Sequence, residues 1–153
     1  MLKGHKRFNS VNGKSLVLIV DDEQMNRELL GFIVQDTYDV IYASNGEEAL
    51  AVMRENSQVL ALVLLDLLMP VMDGITVLKR MRDIEEISRI PVIVMTSEAG
   101  SEVECLKLGA TDFITKPFPK QEVILARMQR TIELYEDRNI LQSTERDEMT
   151  GLF

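Results

Sequence analysis

Leu60-Ala61-Leu62-Val63-Leu64-Leu65 is an unbroken apolar run of strand length, closed by one carboxylate at Asp66. A strand with one solvated face alternates apolar and polar residues, whereas a run without polar positions needs cover on both faces. A central strand sandwiched between two layers of helices meets that need. Leu16-Val17-Leu18-Ile19-Val20 and Pro91-Val92-Ile93-Val94-Met95 repeat the pattern, with proline tolerated at a first strand position. Val40 to Ala43 and Asp112 to Ile114 read as shorter strands.

Helical periods fill the gaps. Met25, Leu29 and Ile33, with Leu30 beside them, predict a first helix over 24–35. Ser44-x-x-Glu47 is a capping-box pattern opening a second, with Leu50 and Met53 inward. Ile75, Leu78 and Met81 mark a third helix after the turn at 70–74, and Val103, Leu106 and Ala110 a fourth. A long fifth helix begins near Lys120. Strands alternating with helices at this spacing predict an α/β fold, a doubly wound five-stranded parallel sheet with right-handed crossovers. Ligands of such sheets bind outside the carboxyl ends of the strands. Asp21, Asp22, Asp66, Thr96 and Lys116 all fall on that edge.

At 153 residues, 46% apolar and 27% charged, the chain suits one domain with a proper core. Seventeen basic against twenty-five acidic residues, a net charge of −8, argue against direct nucleic-acid binding through a basic face. The longest apolar run, Val59 to Leu65, is too short to span a bilayer, so no membrane association and a cytoplasmic location are expected. Residues 1–15 carry Lys3, His5, Lys6, Arg7 and Lys14 without the apolar segment of a signal peptide, and read as a flexible arm. Cys105, the only cysteine, excludes an intrachain disulfide and reads as a small, half-buried helix residue.

A lone Asp at the end of a buried strand is costly unless something nearby wants its charge. Crowded carboxylates raise one another's pKa unless a cation sits between them. Oxygen ligands without His or Cys point to a hard cation, Mg²⁺. Singly, each piece is ordinary: Asp21-Asp22 suits a helix N-cap, Met69 to Gly74 a turn, Thr96 a turn hydroxyl, Phe113 a core position, and Lys116-Pro117 a loop. Their joint occurrence at successive strand ends describes a site that transfers phosphoryl groups onto Asp66.

VDDE at 20–23, LDLLMPVMDG at 65–74, VMTS at 94–97 and KPF at 116–118 resemble the receiver domain of two-component response regulators, the CheY-like family, over about residues 15–135. The resemblance implies a flavodoxin-like sheet of order 2-1-3-4-5. It implies Asp66 as phosphoacceptor, with Asp22, Asp66 and the backbone carbonyl of Leu68 as direct Mg²⁺ ligands and Asp21 acting through water. Lys116 would meet the phosphoryl oxygens, with a cis peptide bond to Pro117. Thr96 and Phe113 would form the switch pair, Phe113 standing where relatives often carry Tyr. The implied partner is a sensor histidine kinase or a phosphotransfer protein. The residues two past the acceptor and two past Thr96, here Leu68 and Glu98, tune water access in this family, and apolar Leu68 predicts slow self-hydrolysis.

A helix from 120 to 145 would extend about 39 Å at 1.5 Å per residue. Leu125, Met128, Ile132, Tyr135, Asn139 and Gln142 have the spacing of a coiled-coil seam. Residues 147–153, DEMTGLF, resemble the Asp-x-Leu-Thr-Gly-Leu opening of GGDEF diguanylate cyclase domains. The expected organisation is a receiver over 16–135, with 136–153 a signalling-helix extension and the truncated start of an output domain. That output is expected to be a diguanylate cyclase, with a DNA-binding output as the alternative. A homodimer is expected through the fourth helix, fifth strand, fifth helix and tail. A haloacid-dehalogenase-like phosphatase also uses a strand-end Asp with Mg²⁺, but resembles Asp-x-Asp there, and Leu68 occupies the second position. Neither GxGxxG nor a P-loop follows the first strand. The expectation is therefore a regulatory switch, not a turnover enzyme.

Overall fold

The computed structural model describes residues 13–97 and 100–152, with side chains up to Glu136. In chain order the elements are β1 (Leu16–Val20), α1 (Gln24–Val34), β2 (Asp39–Ala43), α2 (Gly46–Glu55), β3 (Leu60–Asp66), α3 (Gly74–Arg82), β4 (Val92–Thr96), α4 (Glu102–Lys107), β5 (Asp112–Thr115) and α5 (Gln121–Leu152). The strands are all parallel in the order β2-β1-β3-β4-β5, as expected. Residues 1–12 of the expected arm, and Glu98, lie outside the described residues.

Every residue of β3 is buried, which is the physical meaning of its unbroken apolar run. Successive side chains of a strand point to opposite faces, so one strand feeds two cores. Leu62 and Leu64, with Val17, Ile19 and Met95, meet Leu30 and Val34 of α1 and Ile124, Met128 and Ile132 of α5. Val63 and Leu65, with Leu18 and Val20, meet Leu50 and Met53 of α2 and Val77 and Met81 of α3. Among the described residues no helix is long and apolar enough to cross a membrane.

Four local expectations are corrected. In α1 the inward stripe is Leu30 and Val34, while Met25 is 79% and Leu29 46% exposed. Of the expected stripe only Ile33 is partly buried against the core, and Met25 and Leu29 face solvent. In α4, only six residues long, Cys105 is wholly buried while Val103 and Leu106 are exposed. The capping box of α2 sits one residue later: Asn45 accepts from the Glu48 amide at 2.8 Å, and the Glu48 carboxylate accepts from the amide and hydroxyl of Ser44. In α5, Met128 and Ile132 are buried, with Leu125 and Tyr135 packed beside them against the sheet. These four members of the expected coiled-coil seam serve the chain's own core. Asn139 and Gln142 lie outside the residues whose side chains are described.

The loop from β3 to α3 is tight. The Gly74 amide bonds back to the Leu67 carbonyl at 2.9 Å, and the Met72 amide to that of Pro70 at 2.7 Å. The second bond closes a γ-turn around Val71, whose φ of 70° is uncommon for a β-branched residue.

Candidate functional site

Strand ends assemble the site. Val20 pairs with Leu65, which sets Asp21 beside Asp66 as the chain leaves β1 and ends β3. Thr96 ends β4 opposite Thr115 of β5, and the Lys116 amide bonds to the Thr96 carbonyl at 2.9 Å. The parallel register thus turns four separate strand ends into one cluster.

The carboxylate oxygens of Asp21, Asp22 and Asp66 lie within 4.8 Å of one another. Asp21 is fully buried, Asp66 is 4% exposed, and Asp22 faces solvent. Lys116 Nζ stands 3.3 Å from Asp21 Oδ2 and 3.2 Å from Asp66 Oδ1. The second oxygen of Asp21 accepts from the Glu23 amide at 3.0 Å. The peptide between Lys116 and Pro117 is cis, as the resemblance implied.

Burial and then the nearby Asp21 charge raise the Asp66 carboxyl from 3.8 to about 6, against the opposing pull of Lys116 and the Leu68 amide. For Lys116, burial pulls the pKa down, yet Asp66 and Asp21 outweigh it and hold the ammonium above its usual value. One ammonium does not balance three carboxylates. An oxygen-only donor set with excess negative charge, its central acid driven toward protonation, fits a hard divalent cation. The cluster opens on a cleft of about 640 Å³ bordered by Asp22, Leu29, Leu68, Ser97 and Phe118.

Thr96 is buried at the edge of this cluster, with Ser97 lining the cleft in front of it. Phe113 is half-buried and packs toward the α2–α3 layer, two residues along β5 from the partner of Thr96. The structure brings together Asp21, Asp22, Asp66, Thr96 and Lys116, with Leu68 on the rim and Phe113 one strand behind. Arg27 escaped the sequence reading. Its Nη1 donates to the Asp21 carbonyl at 2.7 Å, and a backbone acceptor leaves no residue pattern to find.

Residues 17–129 match the response regulator receiver domain family. The transcriptional regulatory protein SrrA of Staphylococcus aureus is 40% identical over 121 residues, covering 75% of this chain and 48% of that protein. The chain therefore spans about half the length of the curated relatives it matches. The chemotaxis response regulator CheY4 of Vibrio cholerae superposes with a TM-score of 0.70 and 31% identity, over 77% of this chain and 98% of that one. The receiver domain of the sensor histidine kinase PA1611 of Pseudomonas aeruginosa, with a magnesium ion coordinated in its active-site cleft, gives 0.71 and 26% over 79% and 99%. The family match spans most of the chain and the sheet order agrees with it, so the chain belongs to the response regulator receiver domain family.

Proposed function

We propose that Asp66 accepts a phosphoryl group from the phosphohistidine of a sensor histidine kinase or phosphotransfer protein in the cytoplasm. The observation that carries this reading is the placement of Lys116 between Asp21 and Asp66 in the bottom of an open cleft. An ionised Asp66 oxygen attacks phosphorus as the phosphorus–nitrogen bond of the donor breaks. The electron pair returns to the imidazole nitrogen, and an acyl phosphate remains on Asp66. Asp22, Asp66 and the Leu68 carbonyl, with Asp21 through water, are the groups to hold Mg²⁺. When bound, Mg²⁺ supplies the positive charge that lets an anionic phosphoryl group approach carboxylates. Lys116 then turns from the carboxylates to the phosphoryl oxygens, a move suited to a flexible ammonium.

Thr96 bonds the phosphoryl group through its hydroxyl, and Phe113 turns into the space behind it. Near-complete switching takes about 5.5 kcal/mol of differential stabilisation. A few charge-assisted bonds in a shielded site are of that order. The switch is read on the face of α4, β5 and α5, where Val103, Leu106 and Val123 are exposed, and homodimerisation uses that face together with the extended α5. The chain is a switch without turnover of its own. Its output is a diguanylate cyclase, supported by the GGDEF-like opening at 147–153. A transcriptional output is the second reading, supported by the likeness to SrrA.

Mass spectrometry after exposure to a phosphorylated kinase and Mg²⁺ tests the acceptor: one phosphoryl group on Asp66 supports it, and equal labelling of Asp66→Asn overturns it. Cyclic dinucleotide synthesis or DNA binding by the full-length protein separates the outputs. Sedimentation showing a monomer with and without a phosphate mimic would sink the dimer.

A further inference from the structure

Asp21 is held at every polar atom. Its amide donates to Ala43 O at 3.2 Å, its Oδ1 accepts from the Glu23 amide, and its Oδ2 meets Lys116. The carbonyl is the remaining acceptor, and it receives the Arg27 guanidinium at 2.7 Å. Arg27 reaches it from the first turn of α1, while Lys116 meets the carboxylate. Arg27 therefore ties the first turn of α1 to the end of β1 at the backbone of Asp21.

We propose that Arg27 is the positioning residue of this cluster, fixing Asp21 by its backbone carbonyl so that its carboxylate faces Asp66 and Lys116. The inference rests on the phosphoacceptor reading above. A guanidinium is suited to this task, because it is always charged and its bond to the Asp21 carbonyl is a charge-assisted one. Groups that orient the ligands of a metal alter its affinity about tenfold or more when removed.

The test is calorimetric titration of Mg²⁺ alone into the unphosphorylated protein. Its variants are Arg27→Met, Arg27→Lys, Asp21→Asn and the Arg27→Met/Asp21→Asn double mutant. Arg27→Met should weaken Mg²⁺ binding about tenfold. Arg27→Lys should recover part of the loss. In the Asp21→Asn background the Met substitution should add little, since its effect runs through Asp21. Circular dichroism at the titration temperature shows that each variant is folded, and Arg27→Gln replaces Met if that variant is not. A variant that melts earlier yet keeps Mg²⁺ affinity within twofold overturns the proposal, as do additive effects in the cycle. Labelling of Asp66→Asn equal to the parent chain would instead overturn the phosphoacceptor reading, whatever Arg27 does.

Discussion

Lys116 and Asp66 are 50 residues apart in the chain and 3.2 Å apart in space. The side chain of Lys116 is only 20% exposed, so its charge is poorly screened by solvent. Its removal leaves Asp21 and Asp66 facing one another without a cation. Lys116→Met should cost about 3 kcal/mol of stability at pH 7 without divalent cations, the usual penalty for breaking a buried pair from one side. At pH 4.5, where Asp66 is largely protonated, the loss should shrink by half or more. Urea midpoints at the two pH values check this, and equal losses would argue against a charge effect.

Asp66 itself gives a pH signature. Its folded-state pKa of about 6 lies above the ordinary 3.8, so the fold prefers the protonated acid. The corresponding stability is fully present below about pH 4 and lost as pH climbs through 6, amounting to about 3 kcal/mol at 1.36 kcal/mol per pKa unit. Without metal, Asp66→Asn should therefore be more stable than the parent chain at pH 7.5 and nearly equal to it at pH 4. Millimolar Mg²⁺ should narrow the gap at pH 7.5 by stabilising the parent chain alone. Thermal melts across pH, with and without chelator, measure both effects.

Two glycines make contrasting close approaches. A Cβ on Gly74 would meet the Asp66 carbonyl oxygen at 2.5 Å and Leu67 Cα at 2.8 Å, both backbone atoms at the end of β3. Gly74→Ala should cost about 3 kcal/mol and also impair phosphoryl uptake, because the end of β3 must shift. A Cβ on Gly31 would run into the Tyr42 hydroxyl, the far end of a side chain that is 45% exposed. Tyr42 can swing aside, and alanine gains about 1 kcal/mol in a helix interior. Gly31→Ala should stay within about 1 kcal/mol of the parent chain and leave uptake unchanged. Chemical denaturation and labelling compare the two.

Leu68 borders the cleft with 55% of its surface exposed, and an apolar side chain there gives an attacking water nothing to bond to. Leu68→Asn should shorten the lifetime of the acyl phosphate severalfold. Decay of the phosphorylated form followed by mass spectrometry decides it, and an unchanged lifetime counts against the role of Leu68.

How much of this was legible beforehand follows from the kind of signal each feature leaves. The unbroken run at 60–65 and its counterparts at 16–20 and 91–95 report burial on both faces, which fixes a parallel sheet between helices. Strand order came with the resemblance carried by the motifs at 20–23, 65–74, 94–97 and 116–118, while the edge holding Asp21, Asp66, Thr96 and Lys116 followed from their places after successive strands. The rotation of α1 and α4 did not follow. Apolar residues occur on more than one side of each helix, and only packing against the sheet shows which are buried: Leu30 and Val34 in α1, Cys105 in α4. The seam in α5 misled for a related reason: apolar residues at heptad spacing serve a sheet as well as a second helix, and Met128 and Ile132 are buried against this chain's own strands.

The sequence by itself determined the candidate chemistry: which carboxylate closes the central strand, which acids and which lysine fall on the same sheet edge, and that their oxygen donors suit a hard cation. Tertiary structure alone decided how those groups are held. The pinning of Asp21 by Ala43, Glu23, Lys116 and Arg27, the burial that drives Asp66 toward protonation, and the contact of Gly74 with the Asp66 backbone all depend on distances between segments far apart in the chain. Backbone groups supply half of those contacts. They are present at every residue, so no pattern of side chains announces them until the chain has folded.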